Sequence, residues 1–197
     1  MIKIWHGSHR WEGPPEIKPL KTGKYEFGPG IYTTTNLSRA ARYAKGGGRV
    51  VEFEIDPGVK WLSGVEIPFD DMISFVENSS HIRKKRILVK DIKECWDAKD
   101  RESSNGMIPM SFLVNLGVNN ECFSGKGGIE TAEFLADNNV QADLCRRTGD
   151  EEWMVIFDPD AIKSHKVLSA KDLDWDQDFL PPIMYQISQM KPAGMKM

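Results

Sequence analysis

Phe27-Gly28-Pro29-Gly30-Ile31-Tyr32-Thr33-Thr34-Thr35-Asn36-Leu37-Ser38-Arg39-Ala40-Ala41-Arg42-Tyr43-Ala44 is the stretch on which the reading of this chain turns. Two glycines around a proline make a turn. The aromatic and β-branched run Ile31 to Thr34 then reads as a strand. Asn36 is placed to cap a short helix over 37–44, because its side-chain oxygen can accept from an N–H of the first turn, and Gly46-Gly47-Gly48 ends that helix. Val50 to Ile55 follows, alternating Val51, Phe53 and Ile55 with Glu52 and Glu54 as a half-buried strand does, and Pro57-Gly58 turns it. Upstream, Lys3 to His6 forms a short strand, separated from Tyr25 by a loop that holds Gly13, Pro14, Pro15, Pro19 and Gly23.

Further along, the period becomes helical. From Pro68 to about Arg101, Met72, Phe75 and Val76 share one face, and Ile82, Ile87, Val89, Ile92 and Trp96 follow on a second segment, as expected of a helical insertion over 68–101. A polar stretch (Glu102 to Gly106) and an apolar segment of undecided structure lead to a helix from Ile129 to Ala136, stopped at Asn138-Asn139. Trp153 to Phe157 is almost wholly apolar and is expected to be a central strand, with His165 to Leu168 pairing beside it. Strands therefore sit at the two ends of the chain. The segment 179–197 carries Leu180, Pro181, Pro182, Ile183, Met184, Tyr185, Ile187 and Met190 with only Lys191 and Lys196 charged. That is too apolar for a solvated linker, so it is expected to dock on the core or on another protein.

With 197 residues, 40% of them hydrophobic, the chain is long enough for one sizeable core and short for two, so residues 1–178 are taken as a single domain. A formal net charge of -3 supplies no global basic field of the kind that dominates non-specific nucleic-acid binding. The opening residues move from a short apolar alternation into polar sequence without a signal-peptide core, and no run approaches the roughly 18 apolar residues of a membrane span. Cys95, Cys122 and Cys145 are odd in number and lack CxxC spacing or a nearby histidine pair, which argues against a disulfide framework and a zinc site. A reduced, cytoplasmic protein with no metal and no membrane partner is expected.

Four segments offer chemistry. In Trp5-His6-Gly7-Ser8, Gly7 would let a ligand approach the backbone and His6 places a polar ring at a strand edge, although such a tripeptide alone is also an ordinary turn. Tyr32 follows the glycine turn and can wall a slot for a flat heteroaromatic group, or simply belong to the core. Tyr43, eleven residues later on the expected helix, can return a second ring toward it, or pack inward. Asp150-Glu151-Glu152 stand at the mouth of an apolar strand, where a rigidly held carboxylate can bind a sugar hydroxyl and stabilise an oxocarbenium-like transition state, or be solvated turn residues.

Taken together and in this order, the four segments resemble the His-Tyr-Glu branch of the ADP-ribosyltransferases, the diphtheria-toxin-like and poly-ADP-ribose-polymerase-like catalytic domains. The resemblance rests on His6-Gly7-Ser8, on Phe27 to Tyr32, on Tyr43 and on Glu152 with Trp153 after it; it covers roughly residues 4–55 and 150–158. It implies an α+β fold, a split β-sandwich of two small antiparallel sheets with an NAD+ cleft between them. It further implies that His6 meets the adenosine-side ribose, that Gly7 and Ser8 lie along NAD+ with the Gly7 backbone on the nicotinamide carboxamide, that Tyr32 and Tyr43 sandwich the ring, and that Glu152 binds the nicotinamide ribose and orients the acceptor. The catalytic set would be Glu152, His6 and Tyr32. One departure is that Ala40 stands where the polymerases carry a serine, which would leave nicotinamide one hydrogen-bonding group fewer, a loss on the order of 1 kcal/mol. Glu151 stands beside Glu152 as the competing acid.

The acceptor is less constrained. Arg83, Lys84, Lys85, Arg86, Lys90 and Lys93 against Asp91 give residues 83–93 a net charge of +5, a patch able to hold phosphates or to form a solvated helix face. Arg146 and Arg147 could extend it. RNA or DNA is favoured over protein as the acceptor of a single ADP-ribose. A small unaccompanied transferase would fit a toxin of a toxin-antitoxin or phage-defence system, with 179–197 as the handle for an antitoxin or chaperone. The alternatives are an NAD+ glycohydrolase, a non-catalytic nucleic-acid-binding module, and an NAD+-dependent 2'-phosphate-removing transferase. Tyr32 and Glu152 speak against the last, whose signature resembles His, His and Arg.

Overall fold

The computed structural model describes residues 1–20, 24–45, 47–98, 105–149, 151–169, 173, 176 and 178–190. Gly46, Asp150, the expected end of the insertion at 99–101, the polar residues 102–104 and the tail from 191 lie outside them, as do the side chains of Arg146 and Arg147. The opening pattern is realised as β1 (Ile2–Ser8), β2 (Ile31–Thr34), α1 (Leu37–Ala44) and β3 (Arg49–Ile55). The cap forms as the sequence requires, with Asn36 Oδ1 accepting from the Arg39 N–H at 2.7 Å.

The fold is mixed α+β. β6 (Ala142–Thr148), β7 (Glu151–Ile156) and β8 (Ile162–Leu168) join the first three strands in one antiparallel sheet of order β6-β7-β2-β1-β3-β8. Between the two sets of strands lie a two-stranded sheet, β4 (Glu66–Pro68) with β5 (Met107–Pro109), and four helices: α2 (Phe69–Asn78), α3 (Lys85–Ala98), α4 (Met110–Asn119) and α5 (Lys126–Asp137). The helical part thus runs well past residue 101, because the undecided apolar segment folds as β5 and α4. On α3 the buried stripe is Leu88, Ile92 and Trp96, four residues apart, while Ile87 points outward and is 47% exposed.

Where two packed sheets were expected, the strands form a single sheet that narrows at its middle. β1 and β3 pair in continuous register from Ile2↔Ile55 to Ser8↔Arg49, and β2 and β7 from Ile31↔Ile156 to Thr34↔Trp153. β1 and β2 share only Trp5↔Thr34. The strand containing His165 to Leu168 pairs with β3 and not with 153–157, since both edges of β7 are already taken by β2 and β6. It is left as a mostly exposed edge carrying Lys163, His165 and Lys166, which suits a sheet margin.

One core packs the inserted helices against Tyr25, Val155 and Phe157. A second, on the other face, gathers Ile2, Ile4, Val51, Phe53, Met154 and Ile156. The C-terminal segment closes this second core. Asp178 accepts from the N–H of Leu37 at 2.8 Å and, through Oδ1, from that of Ser38 at 2.9 Å, and the Leu180 N–H donates to Thr35 O at 2.8 Å. α6 (Ile183–Met190) then buries Ile183, with Pro181 and Pro182 lying before its first turn, where a missing N–H costs nothing. Of the two docking modes expected for this segment, docking on the core is what residues 178–190 adopt, while Phe179, Met184 and Tyr185 stay exposed.

Gly7 fixes the seat of α1 on β1. A Cβ there would lie 1.9 Å from the Ala40 carbonyl oxygen and 2.9 Å from the Tyr43 Cβ, so the helix backbone rests directly on the strand. A Cβ on Gly64 would meet open space. In urea unfolding, Gly7→Ala is expected to lower stability by about 1–3 kcal/mol, against less than about 0.5 kcal/mol for Gly64→Ala.

Candidate functional site

Because β1 and β2 part beyond their one pair, toward Ser8 and Ile31, the facing edges of the two strands open, and two chambers form there. The first, about 250 Å³, is lined by Trp5, His6, Gly7, Tyr32, Thr34, Ala40, Tyr43 and Trp153, with Leu20, Lys24 and Glu26 from the long loop as its outer wall. The second, also about 250 Å³, is lined by His6, Ser8, Arg10, Trp11, Glu16, Lys18, Leu20 and Tyr32. His6, Leu20 and Tyr32 belong to both, so the chambers meet at that waist. Their combined size falls in the several-hundred Å³ range of small-molecule clefts.

Each wall is fixed by local structure. The Tyr32 hydroxyl donates to Gly28 O at 2.8 Å and accepts from the Phe27 N–H at 3.1 Å, which ties the ring to the turn before its own strand. Burial pushes this phenol up to about 12, so it remains a neutral donor. Gly28 itself sits at φ +113, and a Cβ there would press on Val114 at 2.9 Å, hence the glycine. Tyr43, half exposed, stands edge-on to Trp153 with ring centroids 5.9 Å apart and planes at 86°. The two tyrosines expected to face one slot are therefore brought together, and Trp153 joins them as a third ring.

His6 Nδ1 lies 2.8 Å from Tyr32 O, spanning the gap that the missing backbone pairs leave. With Nδ1–H donating to that carbonyl, the neutral ring presents Nε2 as an acceptor. The ring stacks on Phe53 at 5.9 Å and 13° and touches Trp11 at 5.5 Å. Burial holds the imidazole below its usual value of 6.5, partly offset by the Tyr32 carbonyl.

The two carboxylates of β7 part company. The strand alternates its side chains, so Glu151 shares a face with Trp153, and Glu152 shares the opposite one with Met154 and Ile156. Glu151 accepts from Thr34 Oγ1 at 3.0 Å and from Arg39 Nε and Nη2 at 3.2 and 3.3 Å, beside the first chamber. Arg39 also lies 5.8 Å over the Trp153 ring. Glu152 is buried on the tail side, its Oε2 accepting from the Ile183 N–H at 2.5 Å, while its backbone N–H donates to Thr35 Oγ1 at 2.9 Å. The structure thus brings His6, Gly7, Tyr32 and Tyr43 around one cleft, with Ser8 in the second chamber; Glu151 lies behind the wall, bonded to the lining Thr34, and Glu152 lies on the other face. Thr34, Arg39 and Trp11 escaped sequence reading; the i, i+4 spacing of Arg39 and Tyr43 on one helix face was the available signal for the second.

The basic run is largely engaged within the fold. Lys84 Nζ donates to Asn120 O at 3.0 Å, Lys85 Nζ to Ser79 O at 2.7 Å, and Lys90 pairs with Glu94 at 3.4 Å. Arg83 lines a small cavity of about 70 Å³ together with Lys24, which also walls the first chamber. Arg86 is exposed at the start of α3, and Arg146 and Arg147 stand in register with Trp153 and Glu152 on β6. No group of three or more His, Cys, Asp or Glu among the described residues is gathered to hold a metal, and no helix among them is long and apolar enough to cross a membrane. No family model, curated protein or solved structure matches the chain.

Because the native His6 binds a proton less readily than the unfolded chain does, its contribution to stability is complete above pH 6.5 and is lost as pH falls from there through the depressed native value. Urea unfolding between pH 7.5 and 5 should show this loss in the native sequence and a shallower slope in His6→Gln. Removing the hydroxyl in Tyr32→Phe should cost about 1–2 kcal/mol, because the Gly28 carbonyl and Phe27 N–H both lose their partner.

Proposed function

We propose that this chain is an ADP-ribosyltransferase, which binds NAD+ across the two chambers and transfers one ADP-ribose to an acceptor. The observation that carries the reading is the meeting of two chambers of about 250 Å³ at His6 and Tyr32, one walled by Tyr32, Tyr43 and Trp153 and the other by Trp11 and Arg10, with Glu12 and the Lys18–Glu16 ion pair alongside. A dinucleotide has this two-ended form. In this reading nicotinamide lies among the three rings of the first chamber, the adenosine half lies beside Trp11, and His6 Nε2 accepts from a ribose hydroxyl at the waist. Residues drawn from both ends of the chain hold the two halves bent, which orients the nicotinamide-ribose bond for cleavage.

Nicotinamide leaves as a neutral group, taking the bonding electron pair, so positive charge grows on the ribose and a fixed carboxylate nearby lowers the barrier. Sequence register with the resembled family assigns that role to Glu152, whereas the geometry of the cleft supports Glu151, oriented by the Thr34 hydroxyl and the Arg39 guanidinium. We assign the acid to Glu151 and give Glu152 the anchoring of α6.

The test is release of nicotinamide from NAD+, followed together with labelling of RNA, DNA and protein from radiolabelled NAD+. Glu151→Gln should reduce release by about 100-fold or more with the fold intact, the scale of losing one transition-state charge contact. Glu152→Gln should act first on thermal stability. The opposite pattern would return the role to Glu152, and the absence of any release or label would overturn the transferase reading.

A further inference from the structure

A third cavity, about 460 Å³, opens on the far side of Glu26 from the first chamber; Glu26 lines both. Its walls are unlike those of the other two. Phe27 supplies an aromatic face, itself held edge-on to Trp153 at 6.2 Å. Asn115 and Asn119, one turn apart on α4, present two exposed amides. Asp143 on β6 supplies a half-buried carboxylate in register with Val155, on the cleft side of the sheet. Burial holds the Asp143 carboxyl above its ordinary value, so this group carries a desolvation cost that an incoming N–H donor would relieve.

We infer that this cavity receives the acceptor, and that the acceptor is a nucleobase bearing an exocyclic amino group, presented by a single-stranded nucleic acid. The inference rests on the transferase reading above and adds the acceptor to it. Unpaired bases are bound by stacking on an aromatic ring and by hydrogen bonds to their exposed edges, for which Phe27 and the amides are suited. Carboxylates only accept, so Glu26 and Asp143 favour an edge that donates. Adenine, cytosine and guanine offer an exocyclic amino group with two N–H donors, whereas uracil and thymine offer one ring N–H flanked by two carbonyl oxygens that would lie against the carboxylates. The phosphates have a separate place. Val118 lines this cavity and also the small one that holds Arg83 and the Lys24–Glu121 ion pair, so Arg83, the first residue of the basic run, is the cation next to this rim that the pair leaves for a phosphate. Glu26 is the wall shared with the first chamber, so a base seated here lies next to the chamber that would hold nicotinamide.

Fluorescence anisotropy with labelled single-stranded homopolymers measures this without NAD+ chemistry. Oligo(A) and oligo(C) should bind at least about tenfold more tightly than oligo(U), at one stated salt concentration. Asn119→Ala, at the exposed end of a helix where no folding defect is expected, and Asp143→Asn should each erase most of that preference. Arg83→Ala should weaken every homopolymer alike and flatten the salt dependence. DNA and RNA forms of the same oligomer, run in parallel, tell which backbone is used. Equal binding of oligo(U), unchanged preference in both variants, or label that accumulates only on protein would overturn the inference. If the base preference and its loss in the variants are seen but the chain neither binds nor cleaves NAD+, the base-binding site stands while the transferase reading, and with it the acceptor role, falls. If nicotinamide is released but no base preference exists, the reverse holds.

Discussion

The parting of β1 from β2 is the constraint from which the rest follows. An antiparallel pair normally satisfies its backbone groups along its whole length, yet here the two strands share Trp5↔Thr34 alone. The sheet survives because each strand has a full partner on its other side, β3 for β1 and β7 for β2. His6 contributes what the backbone gives up, its ring reaching the Tyr32 carbonyl across the gap. Leaving a ladder incomplete in a central position exposes polar edges that only a ligand, water or side chains can satisfy, and in this chain side chains from both strands, from α1 and from the long loop gather around that opening.

Much of this was written locally. The strand–helix–strand order of residues 31–55, the Asn36 cap and the helical nature of 69–98 follow from period, capping chemistry and turn residues, and the structure keeps them nearly to the residue. Alternation failed where burial is complete. β7 is buried at every position from Glu151 to Ile156, so its sequence carries no contrast between faces, and which of two adjacent glutamates lies on the cleft side depends on tertiary packing. Pairing failed for the same kind of reason: the run ending at Leu168 is visible as a strand, but its partner is decided by which sheet edge is still open. The basic run shows the converse. Charges that look available in sequence are used to cap carbonyls, as Lys84 and Lys85 do.

The conformational requirements fall unevenly on the glycines. Gly7 lets α1 lie against β1, and it also lines the first chamber, where its sequence context led a ligand to be expected. The packing that brings Tyr43 over the cleft is thus the packing that forbids a side chain at residue 7. A site made this way has its geometry set by backbone contact between a helix and a strand, which is stiffer than contact between side chains.

The segment from Asp178 to Ile183 binds the β2–α1 junction through three backbone N–H groups or carbonyls and places the Ile183 N–H on the Glu152 carboxylate. These residues are synthesised after the surfaces they join. A growing chain therefore holds β1, β2 and α1 before β7 or the closing segment exists, and the buried carboxylate on β7 gains its helix-terminal partner only after residue 183 has been added. The β2–α1 junction that carries Tyr32 and Tyr43 to the cleft is thus completed by a partner 140 positions further along the chain, the distance from Ser38 to Asp178.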